Sequence, residues 1–415
     1  MEILASLEQL DEKIAECDAA PSDAALRELF ATFCMQPPLA GVDPFSDEYL
    51  TGQMDLYRSI AGKEYHVSNE ETKFDSESMA RRPFPYNTNS AEVVGNQLLA
   101  IGSMLRRLDV PPGGRVLEFG PGWGNTTLAM AMAGYKVTAV DIEPSFCELI
   151  KHRAAKSDVS IDVVNSDFMW AESVVDPYDA VVFFECFHHC ADHMRLLRAL
   201  RKAVKPKGRV YFGAEPITDA FPMPWGLRLD GESLWAVRKQ GWLELGFTET
   251  YFQEALFSAG WDVVKYASGD HFSGNVWEAR RLEGVEVMVD ATEPSIGSSI
   301  GIRTDRGITV EAGANGWAFY GPYSRLPAGR WIATARLSNE LRPTGKGVVE
   351  VCAGIETTVV ATAPVDLTQL DGWEFQVSFE LSKATKNVEM RFFCTEGVSF
   401  TLQSIGFQRG QSGSI

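Results

Sequence analysis

Apolar positions near the start of the chain recur at the spacing of a helix. Successive intervals of four, three, four and three residues separate Ile3, Leu7, Leu10, Ile14 and Cys17. This spacing puts all five side chains on one face of a helix. Pro21 breaks the pattern, which resumes over 24–33. Because two heptads are too few for a stable coiled coil, we expect the stripe to dock on the chain's own body, and a dimer seam is the alternative.

A loop-rich segment is predicted over 36–92. Prolines and small polar residues are frequent in it, and it closes with the run RRPFPYNTNS over 81–90. Such clusters favour turns over regular structure. We expect this segment to fold over an active site as a lid, ahead of a helix over 91–108. Residues 1–110 are therefore taken as a helical N-terminal region with the lid.

From Pro111 the pattern alternates between apolar strands and helices. The predicted strands are 115–119, 136–141, 160–164, 178–184 and 209–212, and the predicted helices are 126–133, 194–204, 249–258 and one that opens at Pro144. Alternating units of this kind form a parallel, doubly wound sheet with helices on both faces. We therefore expect a Rossmann-like α/β domain over 111–282. A hairpin over 261–280 is expected to add an antiparallel strand at one edge.

Short alternating runs replace the helical patterns after residue 283. Turn residues separate nine predicted strands: 285–289, 307–310, 317–320, 330–336, 347–352, 356–361, 373–379, 387–393 and 399–405. Regular short strands of this kind are typical of an all-β sandwich. We predict a separate, jelly-roll-like β-sandwich over 284–410, with carbohydrate binding or oligomerisation as its role.

The charge and cysteine content exclude several classes of protein. The 415 residues include 38 Lys and Arg against 56 Asp and Glu, a net charge of −18, and so acidic a chain repels nucleic acid and anionic membranes. No apolar run approaches the ~20 residues of a membrane span, and the N-terminus lacks the basic region of a secretory signal. Seven cysteines without a CxxC pair indicate a reduced chain. We expect a soluble, cytoplasmic protein without a nucleic-acid partner.

A glycine-rich turn is the strongest chemical signal. The run VLEFGPGWG over 116–124 joins a strand to a helix and ends on glycines at 120, 122 and 124. Glycine is needed where the backbone turns tightly against a ligand. The dinucleotide pattern GxGxxG is not met, because residue 125 is Asn. Glu118 precedes the first glycine by two positions, and a carboxylate there suits the ammonium and sulfonium groups of S-adenosylmethionine better than a pyrophosphate.

Acidic residues also follow the next two strands. Asp141 ends the second strand, 19 positions beyond Gly122, where a carboxylate accepts hydrogen bonds from ribose hydroxyls in nucleotide-binding βαβ units. After the third strand, Asp167 is placed to accept from the adenine amino group and Phe168 to lie against the adenine ring. Either aspartate alone could be a loop cap, but their order after successive strands favours cofactor binding.

These motifs resemble those of class I S-adenosylmethionine-dependent methyltransferases. The resemblance rests on EFGPGWG, AVDIEPSF, NSDFMW and YDAVVFFECFHHCADH and covers about residues 80–282. It implies S-adenosyl-L-methionine as the cofactor. It also implies a cofactor site formed by Glu118, Gly120, Pro121, Gly122, Gly124, Asp141, Ile142, Asp167, Phe168 and Glu185.

A second set of motifs resembles methyltransferase modules of bacterial surface-polysaccharide gene clusters, which serve O-antigen or capsule assembly. The set consists of DPFSDEYLTGQMDLYRS, RPFPYN, EPI and the insert PWGLRLDG–GWLELGF. This resemblance implies a sugar or glycan acceptor. It leaves open an association with membrane-bound polysaccharide assembly proteins and the formation of a homo-oligomer.

Titratable side chains cluster after the fourth strand, at Glu185, His188, His189 and His193. Ligands bind at this edge of open α/β sheets, and a neutral imidazole can take the proton that a hydroxyl loses on methylation. We therefore assign His188 or His189 as the base, with Glu185 beside them. The alternative is that these histidines only pack the loop. The cluster lacks the distant second ligand pair of structural zinc sites, so zinc is not expected. Magnesium is left open but not predicted, because the only carboxylates for it are Glu185, Asp192 and Glu215.

The segment 215–247 is much longer than an ordinary connection between a strand and a helix. Its aromatic and charged side chains are of the kinds that stack on sugar rings and bind hydroxyls, although a structural mini-core would have a similar composition. Two lid residues would complete the acceptor pocket. The predicted acceptor-binding residues are Tyr86, Asn87, Glu215, Trp225, Arg228 and Trp242.

Together these features predict an S-adenosylmethionine-dependent O-methyltransferase that acts on a sugar hydroxyl in surface-polysaccharide biosynthesis. A small-molecule metabolite is the alternative acceptor. A glycan-binding scaffold with an inactive methyltransferase fold is the alternative from a different class, and the intact acidic residues of the cofactor motif disfavour it.

Overall fold

Two compact units make up the chain, Met1–Arg281 and Leu282–Ile415. A computed structural model describes residues 1–37, 41–81, 90–269, 274–282, 287–340, 342–382 and 385–410. None of the helices in these ranges has the length and apolar character needed to cross a membrane. All seven cysteines lie in these ranges and are free thiols.

The N-terminal region of the first unit is helical. Its described elements are β1 (Glu2–Leu4), α1 (Leu7–Asp18), α2 (Asp23–Phe30), β2 (Phe33–Met35), α3 (Asp47–Ala61), α4 (Ser76–Ala80) and α5 (Ala91–Arg107). The apolar stripe of α1 buries Leu10 and Cys17 in the same core as the central sheet. Asp11 forms a two-point ion pair with Arg238. The stripe therefore docks on the chain's own body.

Helix α3 corrects the expectation of a loop-rich segment over 36–92. Ser46 caps it by accepting a hydrogen bond from the Tyr49 backbone, and Gly62 ends it in the left-handed conformation with φ +70°. The Tyr57 hydroxyl donates to the carbonyl of Gly241 over 2.6 Å. The local cap signals were present in the sequence, but the prolines on either side concealed them. Residues 38–40 and 82–89 of the predicted lid lie outside the described residues.

The core of the first unit is a seven-stranded sheet with the order β10-β11-β7-β6-β3-β4-β5. The remaining elements of the unit are β3 (Arg115–Phe119), α6 (Asn125–Met132), β4 (Lys136–Asp141), α7 (Pro144–Lys156), β5 (Ile161–Asn165), β6 (Tyr178–Phe184), α8 (His193–Ala203), β7 (Val204–Gly213), β8 (Trp225–Leu227), α9 (Gly231–Trp235), β9 (Leu245–Phe247), α10 (Glu249–Ser258), β10 (Trp261–Tyr266) and β11 (Val276–Arg281). Strands β3 to β7 pair in parallel. The predicted Rossmann-like doubly wound sheet is confirmed.

The predicted hairpin lies at one edge of the sheet, and its inner strand, β11, runs antiparallel to β7. Strand β11 pairs antiparallel with both β7 and β10, so β10 is the edge strand. The physical reason is burial: Val276, Trp277 and Ala279 of β11 are fully buried, whereas most of β10 is only partly buried. The inner strand of the hairpin, β11, is therefore the more buried of the two.

The second unit is all-β, as predicted. Its strands are β12 (Val287–Asp290), β13 (Ile302–Thr304), β14 (Gly307–Val310), β15 (Gly316–Phe319), β16 (Ser324–Leu326), β17 (Gly329–Leu337), β18 (Thr344–Ala353), β19 (Thr358–Asp366), β20 (Glu374–Leu381) and β21 (Thr385–Arg409). They form a curled antiparallel sheet around their own core, which includes Trp331, Phe319 and Phe392. The two last predicted strands are one continuous strand, β21, which pairs with β18 in its first half and with β17 in its second.

Candidate active site

One large cavity opens at the carboxyl ends of the parallel strands in the first unit. Its volume is about 970 Å³. Its walls are formed by the turn after β3, the loop after β6, part of the 215–247 insert and helix α2. Strand ends of a parallel sheet meet at one edge, which is where open α/β sheets bind ligands.

The glycine turn provides a backbone surface for a ligand. Gly120 and Gly122 have φ values of +57° and +50°, a conformation that residues with a Cβ adopt at a cost. A Cβ on Gly122 would meet nothing within 4 Å, whereas a Cβ on Gly120 would lie 2.7 Å from the Cβ of Cys186. Gly124 does not line the cavity, because its absent side chain makes room for Ile150 of α7.

Glu118 is a buried carboxylate with one unused oxygen. Its Oε2 accepts a hydrogen bond from the Thr127 hydroxyl over 2.5 Å. Its Oε1 has no hydrogen-bond partner among the described residues. Burial raises the pKa of Glu118 to about 8, since the charged form loses its hydration. A cationic ligand group at Oε1 would satisfy this atom and favour the ionised carboxylate, so the residue fits the amino-acid end of S-adenosylmethionine.

Asp141 joins the glycine turn to the second strand. Its Oδ2 accepts from the Gly122 backbone over 3.0 Å, and its Oδ1 accepts from the Glu143 backbone over 2.9 Å. Burial raises the pKa of Asp141 to about 6. Asp167 caps the short helical turn after β5 by accepting from the Met169 backbone. Both aspartates therefore act as loop caps while they also face the cavity.

The structure brings nine of the ten predicted cofactor residues together along the cavity wall. They are Glu118, Gly120, Pro121, Gly122, Asp141, Ile142, Asp167, Phe168 and Glu185. Glu185 has a φ of +56°, and its exposed carboxylate has no hydrogen-bond partner that we find in the described part of the chain. It lines the same cavity as His188.

His188, which lines the cavity, forms a buried pair with Glu215. Nδ1 of His188 lies 2.8 Å from Oε2 of Glu215. Burial lowers the pKa of His188, but the hydrogen bond to Glu215 and the charges of Glu215 and Glu244 raise it more, so the net shift is upward. With Nδ1 engaged, Nε2 is the ring nitrogen left for the cavity.

Glu215 holds the loop rather than a substrate, which corrects its prediction as an acceptor-binding residue. Its side chain has no exposed surface. Besides His188, it accepts hydrogen bonds from the backbone of Cys186, Phe187 and His188 over 2.9–3.2 Å. A carboxylate with this many donors is already saturated.

His189 is fixed in a comparable way. Its Nδ1 lies 2.7 Å from the carbonyl of Leu243 and 3.4 Å from Oε2 of Glu70. Burial and the neighbouring His188 lower the pKa of His189 to about 3, so its imidazole is neutral. Tyr65 donates a hydrogen bond to the backbone carbonyl of His189.

The insert contributes some of its predicted residues to the cavity but not all. Arg228 and Trp242 line it, and Arg228 contacts Glu244 and Asp230 over 3.5 and 3.1 Å. Trp225, which was predicted to bind the acceptor, does not line the cavity. It is 2% exposed, and its indole donates a hydrogen bond to the carbonyl of Pro44.

Two predicted lid residues, Tyr86 and Asn87, lie outside the described residues. His193 is buried, where Nε2 contacts the Tyr251 hydroxyl over 2.8 Å, and it does not line the cavity. It packs the core, as the structural alternative for these histidines proposed.

Several cavity residues carry no local sequence signal. They are Leu26, Arg27, Phe30, Tyr65, Glu70, Glu232 and Glu244. Helix α2 supplies the first three and the residues between α3 and α4 the next two, so only the tertiary fold brings them to the sheet edge.

Comparison with known proteins agrees with this geometry. Residues 116–208 match the family model described as "Methyltransferase domain". The match covers strands β3 to β6 and the first half of β7, and it agrees with the predicted class I fold.

The chain matches two curated relatives over only part of their length. A ubiquinone biosynthesis O-methyltransferase of Xanthomonas campestris is 34% identical over 101 residues, which are 24% of this chain and 42% of that protein. The 27-O-demethylrifamycin SV methyltransferase of Amycolatopsis mediterranei is 29% identical over 186 residues, 43% of this chain and 65% of that protein. The chain thus spans about two fifths of the Xanthomonas relative that it matches.

A solved structure with a similar fold is the 1,6-didemethyltoxoflavin-N1-methyltransferase of Burkholderia thailandensis, which holds S-adenosylhomocysteine. The match has 21% identity and a TM-score of 0.33, and it covers 60% of this chain and 93% of that one.

Proposed function

We propose that this chain is an S-adenosylmethionine-dependent O-methyltransferase. One observation carries the proposal: a single cavity joins the glycine turn and the unsatisfied Oε1 of Glu118 to His188, which Glu215 orients. A cofactor end and a proton-accepting end in one enclosed space are what methyl transfer to a hydroxyl requires.

The cofactor end has a group for each part of S-adenosylmethionine. Glu118 pairs with the ammonium group, and the open backbone at Gly122 lets the amino-acid part approach closely. Asp141 accepts from the ribose hydroxyls with the lone pairs that its two backbone donors leave unused. Asp167 and Phe168 contact the adenine.

At the other end, His188 accepts the proton of the acceptor hydroxyl. When bound, S-adenosylmethionine would supply the methyl group to the acceptor oxygen and would leave as S-adenosylhomocysteine. The proton passes to Nε2 of His188, and the buried carboxylate of Glu215 stabilises the imidazolium that forms. Glu215 is a positioning residue, since it touches His188 and not the reacting atoms.

For the acceptor we propose a sugar hydroxyl, the class that the insert's composition supports. Trp235 and Trp242 offer ring faces, and Arg228 and Glu244 offer hydrogen-bonding groups to neighbouring hydroxyls. The further assignment to O-antigen or capsule biosynthesis rests on the motif resemblance alone. A small-molecule metabolite is the second candidate, because the two relatives are named as methyltransferases of ubiquinone biosynthesis and of 27-O-demethylrifamycin SV.

The all-β unit keeps two proposed roles, glycan binding and oligomerisation. Its Trp317 ring has the Arg391 guanidinium 4.5 Å from its centre and Phe393 at 5.1 Å. Since Arg391 covers one face of the indole, a glycan would have to use the remaining surface of this ring or the exposed Tyr323.

The deciding experiment separates binding from turnover. Calorimetric titration of the full chain should show micromolar binding of S-adenosylmethionine and none of NAD, with loss of binding in Asp141→Ala. Release of S-adenosylhomocysteine is then measured with a panel of sugars and glycans against a panel of phenols and other hydroxylated metabolites. His188→Ala should abolish turnover and keep cofactor binding, while the surface variant His152→Ala behaves as the parent. Cofactor binding without turnover on any acceptor would support the scaffold alternative.

A further inference from the structure

Three potential metal ligands meet at the acceptor end of the cavity. His188 and His189 come from the loop after β6, and Glu244 comes from the insert just before β9. One ligand atom from each lies within 4.8 Å of the other two, and Nε2 of His188 is 3.6 Å from Oε2 of Glu244. Neither segment carries the whole set, so the fold alone assembles it.

Both histidines are held as metal-binding histidines are. A ligating imidazole usually donates its second N–H to a carboxylate or a backbone carbonyl, which fixes the ring and its tautomer. Here Nδ1 of His188 contacts Glu215 over 2.8 Å, and Nδ1 of His189 contacts the carbonyl of Leu243 over 2.7 Å. Both rings therefore keep Nε2 as the atom that can bind a metal.

The charge around the three side chains also favours a cation. Glu70 and Glu244 are each only 12% exposed and lie beside the histidines. Among the described side chains, the cation that contacts Glu244 is Arg228. Arg228 also forms an ion pair with Asp230, so its charge is divided between two carboxylates. A divalent cation would offset carboxylate charge that Arg228 does not balance.

We propose that His188, His189 and Glu244 bind one divalent transition-metal ion. The proposal concerns the same cavity as the proposed function and rests on it only for the use of that cavity. Two imidazoles and one carboxylate suit Zn²⁺, Co²⁺ or Mn²⁺ better than Mg²⁺ or Ca²⁺, which prefer all-oxygen sites. Metal–ligand bonds of about 2.0–2.2 Å put ligand atoms roughly 3–3.5 Å apart. To bind a metal ion, the three side chains would therefore move about 1 Å toward one another.

Metal binding and the proton-accepting role of His188 exclude each other. Both use the same lone pair on Nε2. A metal ion bound there inhibits a histidine-dependent methyl transfer, and the three protein ligands leave the remaining positions of the ion open toward the acceptor space. The site therefore makes the reaction sensitive to transition metals.

The test measures metal binding directly. The full chain is stripped with a chelator and titrated with CoCl₂ and with ZnCl₂ in separate calorimetric experiments, and the visible spectrum of bound Co²⁺ reports nitrogen ligation. We expect one ion per chain, at least tenfold weaker binding in His189→Ala and in Glu244→Gln, and unchanged binding in His152→Ala, which removes an exposed histidine far along the chain. Glu215→Gln, which alters only the orienting carboxylate, should weaken binding about 10–100-fold.

No binding, or binding that His189→Ala and Glu244→Gln leave unchanged, would overturn the proposal. Melting temperatures of the variants show whether a loss of binding comes from unfolding. Activity with and without ZnCl₂ tests the proposed function separately. Inhibition by bound zinc supports His188 as the base, whereas activation by zinc at an intact site would overturn that role and leave the metal site standing.

Discussion

Nδ1 of His188 lies 2.8 Å from Oε2 of Glu215, and His188 lines the same cavity as the glycine turn. Glu215 also accepts three backbone N–H groups of residues 186–188. One buried carboxylate therefore fixes both the conformation of the loop and the orientation of the imidazole. In the proposed mechanism, Glu215 thereby sets which ring nitrogen of His188 accepts the proton.

Glu215→Gln tests this relationship. The amide keeps the size and one acceptor oxygen of the carboxylate, but it lacks the negative charge that stabilises an imidazolium. We expect kcat to fall about a hundredfold or more, within the range of general-base effects, while the KM for S-adenosylmethionine stays the same. A kcat within twofold of the parent, at an unchanged melting temperature, would contradict the assignment.

Glu118 makes cofactor binding pH-dependent. Its pKa is raised to about 8 by burial, so the carboxyl is largely protonated at pH 7 and ionises as the pH rises through 8. Only the ionised form attracts the cofactor's positive groups, and affinity should rise up to tenfold per pH unit between pH 6.5 and 8, then level off. Calorimetry at four pH values measures this slope. Glu118→Gln should bind more weakly and lose the slope; the same slope in the variant would refute the role.

Gly122→Ala and Gly113→Ala form a matched pair. Both glycines have positive φ, +50° and +71°, and a Cβ at either position meets nothing within 4 Å. Each variant should lose about 1–2 kcal/mol of unfolding free energy from the left-handed backbone. Gly122 faces the cavity and Gly113 does not, so Gly122→Ala alone should weaken cofactor binding. Equal affinities in the two variants would show that the ligand does not approach this turn.

Trp242→Ala should weaken acceptor binding, whereas Trp225→Ala should lower the stability of the fold. Trp242 lines the cavity, so its loss should raise the KM for the acceptor while the melting temperature stays close to that of the parent. Trp225 is buried and hydrogen-bonded to Pro44, and its loss should cost about 3–5 kcal/mol of stability. Chemical denaturation and steady-state kinetics on both variants measure the two effects. An unchanged acceptor KM in Trp242→Ala would remove it from the acceptor site.

Leu10→Ala tests how the N-terminal stripe is used. Leu10 is fully buried, whereas Ile3 of the same sequence stripe is 56% exposed. We expect Leu10→Ala to lower the unfolding free energy by about 2–5 kcal/mol and Ile3→Ala to change it little. Light scattering on both variants gives the oligomeric state. A change of oligomeric state in Ile3→Ala would favour the dimer seam over docking on the chain itself.

Local sequence was sufficient to predict the part of the cavity that the glycine turn after β3 forms. Glu118, Gly120 and Gly122 lie within five positions, and the strand–turn–helix geometry around them follows from their order. Asp141 ends β4 and Asp167 lies two residues beyond β5, so the carboxyl edge of the parallel sheet was enough to bring them to the same cavity. Where flanking prolines masked cap signals, as for α3, the same kind of reasoning failed.

The sequence by itself determined the parallel sheet, the all-β character of the C-terminal part and the glycine turn after β3, because periodicity and short-range turn chemistry encode them. Only the tertiary structure decided that Glu215 orients His188, that Glu244 joins the histidines and that Trp225 is core. These residues come from an insert whose path over the sheet edge depends on long-range packing, including the hydrogen bonds of Tyr49 and Tyr57 to the carbonyls of Trp225 and Gly241. Contacts between distant segments leave no periodic signal in either segment. The residues around His188 could therefore be identified only from the tertiary structure.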